Sequence, residues 1–282
     1  MTKNSNYFWN NLKVFSANTA LVDTSANKLV TYADLENESL ALAAKLKLPI
    51  KGLIFLFTTN NSESVITYIA SLKSDNAVLL LDEKLNDEIR NGLVENYKPD
   101  FIITANKNIP EYYSFSFKYE SLNYLKRIEN NTINIFPDLS VLLSTSGTTG
   151  SPKLVRLSYK NIQSNAESIA KYLQIGEAER PITTLPINYS FGLSVINSHL
   201  LKGATIVLTE KTVFFRDFWN LFNEYKCTSF AGVPYTYTML KRIAFDKIEL
   251  PTLKYFTQAG VLRKSSKPSP IVLPIILSLL IY

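Results

Sequence analysis

Apolar residues recur at two different spacings along the first hundred residues. Residues 31–47 carry Leu35, Leu42 and Leu46 among alanines at helical spacing, with Thr31 placed to cap a helix. Short continuous apolar runs and further helical segments follow in alternation, at residues 52–57, 62–73, 77–81, 85–97 and 100–104. Strands that alternate with helices predict βαβ units, right-handed connections and a parallel sheet buried on both faces.

The periodicity weakens between residues 105 and 137, where Asn, Tyr, Lys and Ser are frequent. We predict a connector between two lobes there, which is still compatible with one strand. A second alternating region begins at Asp138 and predicts strands and helices at residues 140–145, 153–158, 159–173, 180–186, 204–210, 216–225 and 227–234, with a helix from about Tyr235. The predicted fold class is therefore α/β, with two βαβ-type lobes and mostly parallel sheets.

Composition agrees with a globular protein of one or two domains. Of the 282 residues 46% are hydrophobic and 19% are charged, and 16 Tyr, 16 Phe and 2 Trp supply apolar area for a core. The net charge of +6 is spread over scattered lysines, which argues against nucleic-acid binding.

The counts of cysteine and histidine limit the chemistry. Cys227 is the single cysteine and His199 the single histidine, so neither an internal disulfide nor a Cys/His zinc set is available. His199 lies in an amphipathic helical run and is interpreted as a core or surface residue. The first fifteen residues lack the apolar core of a secretory signal, and a reducing cytoplasm is the expected location.

The stretch STSGTTGSPK, residues 144–153, combines six hydroxyls, two glycines and a lysine. Pro152 stands where the Walker A motif needs glycine, and Thr149 breaks the Rossmann pattern, so neither phosphate motif applies. Two interpretations remain. One is a loop whose backbone N–H groups, hydroxyls and Lys153 hold a pyrophosphate, and the other is a solvated turn rich in Ser, Thr and Gly.

The longer stretch LSTSGTTGSPKLVRLSYKNI resembles the phosphate loop of the adenylate-forming superfamily, which includes acyl-CoA synthetases, adenylation domains and luciferases. Further stretches resemble family segments in the family's order: TYADL, SLKSDNAVLLLDEKL, LPINYSFGL, TSFAGVPYTYTML and LKYFTQAG. The resemblance covers residues 20–262. It implies the N-terminal part of the family's large domain, with a carboxylate attacking ATP to give an acyl-adenylate and pyrophosphate, followed by transfer to a thiol.

Site residues follow from the resemblance position by position. The residues that match the loop around the ATP phosphates are Thr145, Ser146, Gly147, Thr148, Thr149, Gly150 and Lys153. Those that match the acyl and adenine pocket are Tyr189, Gly192, Val233, Pro234, Ala259 and Gly260, with Val233 favoured for packing and Gly260 for lining the pocket. The implied cofactors are ATP and Mg²⁺, and no metal ligand is assigned within the chain. The implied partners are a small carboxylic acid and either coenzyme A or a carrier-protein pantetheine thiol.

The family pattern stops near residue 262, and an apolar tail occupies residues 263–282. The family's catalytic lysine and its Mg²⁺-associated glutamate belong to later segments, so we expect a partial AMP-binding domain over residues 1–262, without the small C-terminal domain and impaired in catalysis. The uncharged end, residues 268–282, would span about 22 Å as a helix, too short for a bilayer core of about 30 Å. The alternative function is a non-catalytic nucleotide- or partner-binding remnant of the family.

Overall fold

The computed structural model describes residues 7–129, 133–144 and 153–259. Within these ranges the α-helices are α1 (Tyr32–Leu46), α2 (Ser62–Lys73), α3 (Asp87–Tyr97), α4 (Tyr159–Tyr172), α5 (Ser190–Leu200), α6 (Arg216–Glu224) and α7 (Pro234–Arg242). The strands are β1 (Thr19–Asp23), β2 (Lys28–Thr31), β3 (Leu53–Thr58), β4 (Ala77–Asp82), β5 (Phe101–Thr104), β6 (Tyr113–Tyr119), β7 (Leu122–Arg127), β8 (Leu139–Ser144), β9 (Leu154–Ser158), β10 (Pro181–Ile182), β11 (Ile206–Leu208), β12 (Ser229–Gly232) and β13 (Tyr255–Gln258).

The strands form two sheets. The first has the order β13-β12-β10-β11-β1-β2, and the second has the order β6-β7-β5-β3-β4-β8-β9. Most neighbours are parallel, and the antiparallel pairs are β1 with β2, β5 with β7, β6 with β7, and β8 with β9. The predicted α/β class with mostly parallel sheets is therefore confirmed.

The segment from 105 to 137 differs from the connector that its weak periodicity predicts. It contains the antiparallel hairpin of β6 and β7, which extends the second sheet beyond β5. Farther along, β8 pairs with β4 in the same sheet. The two sheets consequently do not divide at residues 105–137, because parallel pairing of β4 with β8 carries one sheet across this segment.

Local sequence signals explain where the helices begin. Thr31 and Asp34 form a reciprocal capping box at the start of α1, as Thr31 was predicted to do. At the start of α2 the side chain of Asn61 accepts a hydrogen bond from the backbone N–H of Ser64. Both caps satisfy N–H groups that have no partner within their own helix.

The main core lies between the two sheets. Alternate residues of β3 face opposite sides: Ile54 and Leu56 join the core that also contains α1, α2, α4 and α5, whereas Phe55 and Phe57 face the side covered by α3. The outer side of the first sheet packs against α6 and α7, around Trp219. The result is five layers of helix, sheet, helix, sheet and helix, which explains why most strands carry continuous apolar runs.

The single histidine and the single cysteine, which could have served as catalytic groups, are both buried. His199 lies on α5 and is 3% exposed, which confirms the core interpretation. Cys227 is a buried free thiol, and burial raises its pKa to about 12. In the described part of the chain, no helix combines the length and the apolarity that crossing a bilayer requires.

Candidate functional site

The carboxyl ends of the parallel strands carry the stretches that the sequence analysis selects. Strand β8 ends at Ser144, directly before the hydroxyl-rich loop, and Val233 and Ala259 directly follow β12 and β13. Tyr189 lies in the segment that leads from β10 into α5. Ligands of open α/β sheets bind in crevices at this end of the strands. The chain thus assembles its candidate residues at the carboxyl ends of the parallel strands, where such sheets bind ligands. We call this side of the two sheets the candidate edge.

Asn60 holds the carboxyl edges of the two sheets together. It follows β3 of the second sheet, is 7% exposed, and donates from Nδ2 to the carbonyl oxygens of Leu185 (3.3 Å) and Thr209 (3.4 Å). Its Oδ1 accepts from the backbone N–H of Ile187 at 3.2 Å, and its own N–H donates to Oε1 of Glu210 at 2.8 Å. One amide side chain therefore fixes two loops of the first sheet against the second.

Helix α5 begins at this edge without a side-chain cap. Tyr189 occupies the N-cap position, and the residue is 44% exposed. The backbone N–H of Tyr189 donates to the carbonyl oxygen of Pro186 at 3.0 Å, which turns the chain into the helix. A Cβ at Gly192 would lie 2.1 Å from that same carbonyl oxygen. Gly192 is thus required for the close approach of α5 to the preceding loop.

The other pocket candidates border the same edge. Val233 is half-buried, and Pro234 and Tyr235 in the first turn of α7 are exposed. The backbone N–H of Val233 donates to Oγ1 of Thr236 at 3.2 Å, and proline suits the first helical position because it needs no N–H partner there. The backbone N–H of Ala259 donates to the carbonyl oxygen of Gly232 at 3.3 Å, which keeps the two strand ends side by side.

Comparison with known families identifies this arrangement. The family model described as AMP-binding enzyme matches residues 8–267. The chain belongs to the AMP-binding enzyme family. The match includes both sheets and the candidate edge.

Two curated relatives of this AMP-binding chain are ligases. The 2-succinylbenzoate–CoA ligase of Bacillus velezensis is 27% identical over 194 residues, which is 66% of this chain and 40% of the relative. The D-alanine–D-alanyl carrier protein ligase of Streptococcus pneumoniae is 28% identical over 211 residues, or 68% of this chain and 39% of the relative. The chain thus spans about two fifths of the length of these curated relatives.

Solved structures share the fold of the AMP-binding chain. The o-succinylbenzoate coenzyme A synthetase of Bacillus subtilis in complex with AMP has a TM-score of 0.70 at 22% identity, covering 90% of this chain and 67% of that chain. The N-terminal domain of FACL13 from Mycobacterium tuberculosis has a TM-score of 0.72 at 16% identity, covering 90% and 70%. These similarities confirm the expected fold, that of the N-terminal large domain.

The predicted phosphate loop of this AMP-binding chain is only partly described. Residues Thr145–Gly150 and Gly260 lie outside the described ranges, and their assignment stays a prediction. Lys153 is described, is exposed, and directly precedes β9. Among the described residues no group of three or more His, Cys, Asp or Glu is arranged to hold a metal ion.

Sequence reasoning missed the residues that build the edge. Asn60, Glu210 and Thr184 were not selected, although the hydroxyl of Thr184 donates to the carbonyl oxygen of Ala231 and so connects β10 to β12. Glu210 also accepts from Nζ of Lys84 at 3.3 Å. A usable signal existed, because Asn60 and Glu210 each follow a buried strand at its carboxyl end.

A groove of about 820 Å³ lies on the second sheet, on the side of α3. Its walls include Leu53 at the start of β3, Leu139 at the start of β8, and Tyr97 at the end of α3. These positions are at the amino ends of the parallel strands, but the wall also includes Leu154, which pairs with Ser144 at the carboxyl end of β8. The candidates for the acid pocket, Tyr189, Val233 and Ala259, follow strands of the other sheet, so we do not assign the acid to this groove.

Substitution of Gly192 by alanine should destabilise the chain by about 1–3 kcal/mol, because the new methyl group must displace the backbone of the 185–187 loop. Thermal unfolding of the two purified proteins measures the effect. The matched control is Gly92→Ala in α3, where an added Cβ meets nothing within 4 Å. That change should raise the free energy of unfolding by about 0.5–1 kcal/mol, since alanine favours the helical conformation more than glycine does. Equal melting temperatures for Gly192→Ala and the wild type would contradict the close approach.

Proposed function

We propose that this chain supplies the ATP-phosphate-binding and acid-binding part of an ATP-dependent carboxylate-adenylating ligase. The observation that carries the proposal is the family match over residues 8–267, together with the edge at which Asn60 joins both sheets. The hydroxyl-rich loop leaves β8 at the edge of one sheet, and Tyr189, Val233 and Ala259 follow strands of the other. The named activities of the two curated relatives, both ligases, support the same reaction class.

In the proposed reaction a carboxylate oxygen of the acid attacks the α-phosphorus of ATP. A bond between that oxygen and the phosphorus forms, the bond to the bridging oxygen of the β-phosphate breaks, and pyrophosphate leaves with both electrons. Phosphoryl chemistry of this type depends on positioning and charge stabilisation. The backbone N–H groups of the loop and the cation of Lys153 are the groups of this chain that would hold the leaving pyrophosphate. Mg²⁺ would arrive bound to the phosphates, as it commonly does with nucleotides.

The acceptor in the second half-reaction is proposed to be a thiol of coenzyme A or of a carrier protein. The names of the curated relatives include one acceptor of each kind, and the proposal leaves both open. A cytoplasmic location is part of the proposal, supported by the single cysteine, Cys227, which is buried and free.

Binding of MgATP to the purified chain tests the phosphate-loop assignment. Replacing Lys153 by alanine should weaken binding roughly 10- to 100-fold, because a charge-assisted contact contributes about 1.5–3 kcal/mol. Isothermal titration with MgATP measures both dissociation constants. The matched control is Lys160→Ala on the exposed face of α4, which should leave the dissociation constant within about twofold. Absence of binding at millimolar MgATP, or an equal loss in both variants, would refute the assignment.

Exchange of labelled pyrophosphate into ATP separates the ligase from the alternative function. Acid-dependent exchange by the chain would establish adenylation and correct the expectation of impaired catalysis. Nucleotide binding without exchange, across a panel of carboxylic acids, would favour the non-catalytic nucleotide-binding remnant instead.

A further inference from the structure

The two halves of the proposed nucleotide site stand on different sheets. The phosphate loop leaves β8 of the second sheet, whereas Ala259 of the proposed adenine pocket follows β13 of the first sheet. A nucleotide that binds to both halves must therefore span the distance between the two sheets. Its affinity depends on that distance, because two linked groups gain affinity only where both can bind at once.

The two sheets run in the same order across the molecule. The first sheet ends in β13 and β2, and the second ends in β9 and β6. Nζ of Lys28 on β2 donates to Oε1 of Glu120, between β6 and β7, at 3.0 Å. Since this contact joins one end of each sheet, the opposite ends, with β13 and with β8 and β9, lie on the same side of the molecule.

Asn60 and Glu210, which we call the Asn60–Glu210 pair, join the two sheets at the candidate edge. Asn60 follows β3 and Glu210 follows β11, and the backbone N–H of Asn60 donates to Oε1 of Glu210 at 2.8 Å. In the sheet orders β3 lies two strands from β8, and β10, whose following loop also binds Asn60, lies two strands from β13. Two strands correspond to about 10 Å. The pair therefore lies about 10 Å from each half of the proposed site.

The contacts of the Asn60–Glu210 pair are directional. The side chain of Asn60 hydrogen-bonds to Leu185, Ile187 and Thr209 of the first sheet's loops, and Oε2 of Glu210 accepts from Nζ of Lys84, which follows β4. A hydrogen bond restricts both distance and angle, whereas apolar contact has no preferred direction. The pair is thus suited to fix the distance between the two sheet edges, which the apolar core alone does not specify.

We propose that the Asn60–Glu210 pair positions the two halves of the nucleotide site at the distance that MgATP requires. The inference rests on the proposed function, because it takes the phosphates to bind at the loop after β8 and the adenine to bind near Ala259. With the pair intact, one MgATP contacts both halves of a preorganised site. Without it the two edges shift relative to each other, and MgATP loses the affinity that comes from binding both halves at once.

A ligand that binds to only one half separates positioning from stability. Magnesium tripolyphosphate carries the three phosphates of ATP without the adenosine, so it contacts only the half-site on the second sheet. Asn60→Ala should weaken the binding of MgATP about tenfold and leave the dissociation constant of magnesium tripolyphosphate within about twofold. Isothermal titration of both ligands into the wild type and the variant measures the ratio of the two affinities.

Glu210 supplies a second variant that should keep the fold, since its side chain is 47% exposed. Glu210→Ala removes the acceptor of the Asn60 N–H and should reduce the affinity ratio as Asn60→Ala does. Glu210→Gln removes the charge but keeps one acceptor oxygen, and should retain the wild-type ratio. An equal loss in both Glu210 variants would assign the effect to charge and overturn the inference. If Asn60→Ala does not fold, the two Glu210 variants still decide.

Asn76 is a matched structural control at the amino ends of the strands. It directly precedes β4 and is 1% exposed. Its side chain accepts from the backbone N–H of Gly52 at 2.9 Å and donates to the carbonyl oxygen of Leu46 at 2.8 Å. Asn76→Ala should lower the melting temperature, because it leaves buried backbone groups unpaired. It should nevertheless retain the wild-type ratio of the MgATP and tripolyphosphate affinities.

The outcomes distinguish this inference from the proposed function. A ratio that falls in Asn60→Ala and Glu210→Ala but not in Asn76→Ala supports the positioning role. If MgATP binds in a Lys153-dependent manner and Asn60→Ala leaves the ratio unchanged, the proposed function stands and the positioning role is wrong. An equal fall of the ratio in Asn60→Ala and Asn76→Ala also overturns the positioning role, since loss of stability then explains it. If the wild type binds neither ligand, both fail.

Discussion

Replacing Lys73 by methionine should lower the free energy of unfolding by about 3–5 kcal/mol. Lys73 at the end of α2 donates to Glu36 of α1 at 2.8 Å, and the two side chains are only 3% and 5% exposed. Methionine fills similar space but leaves the carboxylate of Glu36 buried without its counter-charge. Burial lowers the pKa of Lys73, and the hydrogen bond and charge of Glu36 act in the opposite direction. Glu36 therefore helps to keep the buried amine of Lys73 protonated. Urea denaturation of the wild type and the variant measures the difference.

Two controls separate the buried charge from the lost lysine. The double variant Glu36→Leu/Lys73→Met removes both charges and should recover most of the loss, because buried ion pairs replaced by apolar residues are often nearly neutral. Lys211→Met breaks the exposed pair of Lys211 with Asp217, whose side chains are 56% and 66% exposed, and should cost less than about 1 kcal/mol. A Lys73→Met cost as small as that of Lys211→Met would contradict the argument.

Substitution of Asp23 by alanine should lower the free energy of unfolding by about 2–4 kcal/mol. Asp23 ends β1, is 2% exposed, and accepts from the backbone N–H and hydroxyl of Ser62 at 2.7 and 2.8 Å. It also accepts from Ser25 and from the backbone N–H of Ala26. Ser62 begins α2, so this carboxylate connects the first sheet to a helix packed on the second, at the favourable end of the helix dipole. Chemical denaturation at pH 7 measures the loss.

The pH dependence of stability gives an independent check on the role of the Asp23 carboxylate. Burial acts to raise the pKa of Asp23, but the hydrogen bonds from Ser25, Ser62 and Ala26 outweigh it and hold the pKa below its ordinary value of 3.8. A carboxyl with a lowered folded-state pKa stabilises the fold above its unfolded value and loses that contribution as pH falls through the folded value. The difference between wild type and Asp23→Ala should therefore be constant above pH 5 and shrink below pH 3.8.

A matched control is available in α1. Asp34→Ala removes an exposed carboxylate that accepts from Thr31, and should cost about 1 kcal/mol or less. Asp23→Asn keeps one acceptor oxygen and should fall between the wild type and Asp23→Ala. A difference between wild type and Asp23→Ala that persists unchanged below pH 3 would show that the carboxylate charge is not what stabilises this junction.

The spacing of apolar residues was sufficient to predict the helices and strands in which that spacing is regular. The helix predicted over residues 31–47 is α1, with Thr31 at its N-cap, and the run at 52–57 is β3 shifted by one residue. Periodicity failed over residues 105–137. Most residues of strand β6 are exposed, so apolar and polar positions do not follow a regular alternation of buried and exposed side chains. A register shift between Phe115 and Phe117 also interrupts its pairing with β7. Strand β7 of the same hairpin buries Leu122, Tyr124 and Leu125, so the weak pattern comes from β6, the edge strand, which keeps most of its residues exposed.

The sequence by itself determined the α/β class, the family and the candidate residues at the strand ends, because hydrophobic period and motif order are local properties of the chain. Only the tertiary structure decided how the two sheets meet and which residues join them. Asn60 and Asp23 are polar residues without a distinguishing local pattern. Their roles arise from partners up to about 150 positions away, such as Asn60 with Glu210. Hydrogen bonds of that span depend on which loops the packed sheets bring together, a consequence of folding the whole domain.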